Sequence, residues 1–90
     1  MVVGRAQRRA SRRERVVRAL GEARAEPALD VLELVDLAWH DCYGEPAPPD
    51  EVLDDILLLS HGDLAGLVSA ARRAVADWRD TRLAANALRH

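Results

Sequence analysis

The sequence contains no lysine and no phenylalanine, and only one cysteine, one methionine, one tyrosine and two tryptophans. A lone cysteine, Cys42, closes no disulfide within the chain and cannot supply a cysteine-cluster zinc site. The longest apolar run is Ile56-Leu57-Leu58-Leu59, against the roughly 20 residues needed to cross a bilayer, so no membrane partner is expected. The Arg-rich N-terminus is not followed by the apolar segment of a secretory signal, and a cytoplasmic location is the expectation. No nucleotide loop of the G-x-G-x-x-G or Walker kind is present, nor an internal repeat, nor heptads sustained enough for a free coiled coil. No cofactor is expected.

Ninety residues allow one domain with a thin core. With 49% apolar and 31% charged residues, the chain is too apolar for wholesale disorder. Arginine without lysine fits a GC-rich, bacterial coding bias. Guanidinium forks chosen for carboxylate or phosphate recognition are the alternative.

The charges are sorted. The net charge of −2 hides +6 over residues 1–24, −11 over 25–71 and +3 over 72–90. Blocks of opposite sign in so short a chain pair internally, between chains or with a charged partner. Docking of the Arg-rich segment on the acidic middle ranks first.

Local signals give four helices and no strand. Ser11-Arg12-Arg13-Glu14 reads as a capping box, placing the first helix from about residue 12, with 1–10 as a basic arm or an extension of that helix and 11–90 as the domain. Pro27 suits a first helical turn, and a second helix runs to Tyr43, ended by Gly44. Gly44 to Pro49 is a stiff connector. Its Pro46-Ala47-Pro48-Pro49 reads as an inter-helix loop rather than a partner motif. Asp50-Glu51 opens a third helix that stops at Ser60-His61-Gly62. A fourth helix starts near Asp63 and runs as one long rod to about residue 87, its last turns overhanging the short third helix. The fold class is all-α, an up-down antiparallel four-helix bundle first and an irregular orthogonal array second. The expected core is Val16, Leu20, Val31, Val35, Trp39, Val52, Ile56, Leu59, Leu64, Val68, Val75 and Trp78.

Catalytic residue types crowd at Trp39-His40-Asp41-Cys42-Tyr43, but helical geometry separates them. Cys42 falls on the apolar face and reads as a buried, inert thiol near a helix C-terminus, where the dipole disfavours a thiolate. His40 falls on the acidic face, four residues after Asp36, and closes the helix end. His40, His61 and Asp63 lie at opposite poles of an antiparallel bundle, too far apart for one metal. Asp54-Asp55 reads as a solvated face. No catalytic, cofactor or metal site is assigned, and the chain is expected not to be an enzyme.

Apolar residues on the wrong faces point instead to a protein partner or a homo-oligomer. The expected contact surface is the acidic side of the second and third helices with the end of the fourth: Leu29, Glu33, Asp36, Leu37, His40, Asp41, Glu51, Asp54, Leu58, Leu83 and Leu88. Leu67 to Arg79, with Val75 and the Trp78-Arg79 pair, resembles the last helix of colicin nuclease immunity proteins over about a dozen residues. Their Tyr-Tyr partner-binding turn has no counterpart here, where Ser60-His61-Gly62-Asp63 stands. The chain is not assigned to that family, and an acidic inhibitor of a basic protein stays as an alternative on charge grounds. A second alternative is nucleic-acid binding through Arg5, Arg8, Arg9, Arg12 and Arg13, which need only phosphates. Gln7 is the one amide nearby and no aromatic precedes Trp39, so readers of bases are missing.

Overall fold

A computed structural model describes residues 4–90. The three residues before them, part of the expected basic arm, lie outside the described residues. The fold is all-α: α1 (Arg5–Leu20), a single 3₁₀ turn (Glu22–Arg24), α2 (Ala25–Tyr43), α3 (Asp50–Leu59), α4 (Leu64–Ala76) and α5 (Trp78–Arg89), with no strand among the described residues.

Helix α1 begins six residues before the expected capping box. Gly4 is its N-cap, its N–H donates to Gln7 Oε1 at 3.4 Å, and Ser11 Oγ instead donates back to the Arg8 carbonyl within the helix. Ala6 and Ala10 and the arginines are strong helix formers, and the ion pairs described below tie this first stretch down. Residues 5–10 are therefore the helix extension, not an arm. Gly21, at φ 92°, turns the chain into the 3₁₀ turn, and α2 opens two residues before Pro27. Gly44 closes α2 in the left-handed region (φ 74°), its N–H donating to the His40 carbonyl at 2.9 Å, the expected C-terminal stop.

The expected long fourth helix is two helices. Asp77 is extended (φ −159°, ψ 96°) and its side chain accepts from the Arg79 N–H at 3.1 Å, an N-cap that starts α5. The last turns therefore do not overhang α3; α5 folds back onto it. Helix α1 packs on α2, α2 on α4, and α3 on both α4 and α5. The α3–α4 corner is tight: a Cβ on Gly66 would lie 2.3 Å from the Ser60 carbonyl oxygen, so only glycine lets the two backbones approach.

Val16, Leu20, Val35, Trp39, Val52 and Ile56 are buried as the pattern predicts, and Val31, Leu59, Leu64, Val75 and Trp78 pack half-buried around them. Val68 does not join them; it is 53% exposed. The apolar arc of α4 is wider than the face it buries, and α4 turns Leu67, Ala70, Ala71 and Ala74 inward. Small residues let α4 lie close to its neighbours, and the larger Val68 is left at the flank.

Candidate protein-docking surface

The two flanks of α2 are finished in different chemistry. On the α1 side the sorted charges meet. Arg12 and Asp36 are both buried and form a two-bond fork, each N–H···O at 2.9 Å, with Arg8 Nε 3.4 Å from the same carboxylate. Arg9 reaches Glu26, Asp30 and Glu33; Arg13 reaches Glu22 and Glu26; Arg5 reaches Glu33. Arg15 bridges to Asp54 and Asp50 on α3. The hydrogen bond from Arg9, then its charge, holds the Glu26 carboxyl below the usual glutamate range, and the same acids push the Arg9 guanidinium further above its own.

This seam absorbs much of the surface expected to bind a partner. Asp36 is buried and Glu33 is partly covered. Leu29, expected on the outer face, is 1% exposed, because α1 covers that side of α2. His40 has Asp41 as its carboxylate neighbour, at 3.9 Å, since Asp36 is taken by Arg12. The five arginines offered as phosphate contacts all face carboxylates of α2 or the adjoining turn. Leu37, Leu58, Leu83 and Leu88 are exposed, as are Asp41, Glu51 and Asp54; they are spread over α2, α3 and α5.

The α4 side of α2 is apolar and open. Val31, Leu34, Ala38, Cys42 and Tyr43 on one wall face Val68, Ala71, Arg72 and Val75 on the other, around a groove of about 740 Å³. Leu34 is 65% exposed, Val68 53% and Tyr43 38%. The Tyr43 hydroxyl donates to the Val75 carbonyl at 2.9 Å, pinning the C-terminal ends of the two walls together. Its ring lies 4.3 Å from that of Trp39, whose indole N–H donates to Glu45.

No family model, curated protein or solved structure matches this chain.

Two further residues depart from the sequence reading. Cys42 is exposed; at 100° per residue it projects toward the open groove beside Ala38 rather than under α4. Asp55, expected on a solvated face, is fully buried against α5, with Arg89 Nη1 at 2.7 Å and Arg82 Nε at 3.4 Å. Neither the exposure of Leu34 nor that of Val68 stood out in the sequence. The available signal was that alanines recur on α4 at core spacing beside the valines, so two apolar stripes competed for one buried face.

Proposed function

We propose that this chain is a non-catalytic protein-interaction module that receives an amphipathic helix of a protein partner in the groove between α2 and α4. The observation that carries the reading is the pair of apolar walls left uncovered; the cleft of similar size between α1 and α3 is instead lined by Arg15, Arg18, Asp54 and His61 beside its apolar residues. Two packed helices present ridges at i, i+3, i+4 and i+7, and a third helix laid between them is the simplest solid that fills such a groove. On α2 these ridges are Val31, Leu34, Ala38 and Cys42; on α4 they are Val68, Ala71 and Val75. Among the described residues Arg72 is the one charged member of the lining, so the favoured partner helix carries leucine-type anchors with an aspartate or glutamate beside them. The alternative of an inhibitor acting through its acids has less support, since many of those acids are neutralised by α1 and α5.

The test is differential capture. The wild-type chain and Leu34→Glu/Val68→Glu are used as baits in nuclease-treated extract of the native host. Equal thermal stability of the two baits is checked first. A stoichiometric protein retained by the wild type and lost from the double variant supports the reading. Identical profiles for both baits overturn it. A second copy of the chain as the sole retained species, lost in the variant, would convert the module into a self-associating one.

A further inference from the structure

The inward-facing residues of α4 and α5 share one phase. Leu67, Ala71, Ala74, Trp78, Thr81 and Ala85 follow each other at steps of 4, 3, 4, 3 and 4. That is the spacing of a single helical stripe, and it runs through the break at Asp77. No glycine or proline lies between Leu67 and Arg89. The break is held at Asp77, extended and capping α5 through Arg79, and by the Tyr43 hydroxyl, which donates to the Val75 carbonyl that the Arg79 N–H would meet in a continuous helix. With Asp77 helical, Leu64–Arg89 becomes one rod of 26 residues, about 39 Å long.

The seat of α5 on α3 is small and polar. Only Thr81 and Ala85 of α5 are buried. The Thr81 hydroxyl and Asp55 Oδ2 are buried without a hydrogen-bond partner among the described residues, and the seat is held mainly by the ion pairs of Asp55 with Arg82 and Arg89. An α5 that swung away would give up both ion pairs of Asp55 and expose Thr81 and Ala85 to water, a loss recovered only when the same groups are replaced. A helix carrying Arg82 and Arg89 at the same spacing refills the seat, and a second copy of the chain carries that helix.

We propose that α5 is an exchangeable arm: Asp77 straightens, and α5 of one copy takes the Asp55 seat of a second copy, which returns its own. The exchange is isologous and closed, so it yields a dimer and not a filament. Every α3–α5 contact is kept and only the hinge changes. Tyr43 and Val75 of the groove touch the hinge, whereas Val68 lies nine residues before Asp77, so a change at Val68 separates this proposal from the partner-helix reading.

The test is sedimentation velocity on the full chain at matched concentrations. Alanine at position 77 loses the cap and favours continuous helix, whereas glycine caps nearly as well as aspartate and disfavours helix interior. Asp77→Ala is expected to shift each hinge about five-fold toward the straight form, and so to raise the dimerisation constant roughly 25-fold. Asp77→Gln, another helix former without the short cap, gives a shift of the same sign and serves should the alanine chain not fold. Asp77→Gly stays at the wild-type level. Adding Val68→Glu to Asp77→Ala leaves the dimer intact. Equal sedimentation of the alanine and glycine chains would overturn the proposal. Loss of the dimer on adding Val68→Glu would overturn it too, since the copies would then be meeting through the groove.

Discussion

Helix α2 is joined to the rest of the molecule along two flanks, and they have little in common. Against α1 it is laced by arginine–carboxylate pairs, several with side chains largely in water and one, Arg12–Asp36, sealed inside. Against α4 it meets alanines, and the larger apolar residues of both helices stand at the edge of an open groove. The charged seam gives orientation: residues 5, 9 and 13 of α1 meet 33, 30 and 26 of α2, an antiparallel arrangement whose register is fixed by the buried Arg12–Asp36 fork, since acids recur along α2 at each turn. The alanine seam gives closeness and leaves apolar surface over. One helix thus has a specified neighbour on one side and unused apolar surface on the other.

The largest expected effect falls on the charged seam. Asp36→Ala strands the Arg12 guanidinium and should cost about 3–5 kcal/mol, read as a drop in the urea midpoint at unchanged slope. Replacing both partners by leucine should bring most of that back. If Asp36→Ala costs under about 1 kcal/mol, far below the loss typical of a broken buried pair, then Val16 and Leu20 hold α1 and the ion pairs only decorate the seam. Next in size, Gly66→Ala forces the α3–α4 corner open and shifts α4 along α2, at about 1–3 kcal/mol. An unchanged stability would show that the corner yields freely.

On the open flank the expectation reverses. Val68→Glu should change stability by less than about 0.5 kcal/mol, as surface substitutions do, and a fall of several times that would mean Val68 is needed by the core. The smallest effect is in acid. Glu26 titrates below its ordinary value near 4.5 because of Arg9, so its contribution is complete above that value and is lost as pH falls through the lowered one. Amide protection factors along α1 should therefore fall below about pH 4.5, and Glu26→Gln should flatten that part of the profile.

Much of the architecture was legible because local chemistry agreed with the final packing. Gly44, Pro27 and the Asp50-Glu51 pair sit where helix ends require them, and the opposed charge blocks foretold that α1 would lie on α2. The failures are cases where a distant partner decides. Asp55 looked solvated because its cations, Arg82 and Arg89, come from 27 and 34 residues away. Val68 looked like core because it lies beside Leu67 and Ala71 on the wheel, and only the close approach allowed by alanines turned it out. Asp77 carried no breaking signal of the glycine or proline kind. It caps a helix that the surrounding sequence would equally let pass through. The docking groove was invisible for the same reason as Val68: its walls belong to two helices whose spacing is a tertiary property.

The two tryptophans are placed so that they report on different things. Trp39 is 2% exposed, stacked near Tyr43 and hydrogen-bonded to Glu45, so its emission follows the integrity of the interior and collects energy passed on from the tyrosine. Trp78 is the residue right after the Asp77 bend, half-buried with the Arg79 guanidinium 5.3 Å from its ring centre. Its colour and anisotropy respond to the bend as well as to unfolding, since the ring also packs on the core. Two chains with one tryptophan each, Trp39→Phe and Trp78→Phe, would therefore separate unfolding from unbending optically, with no label added.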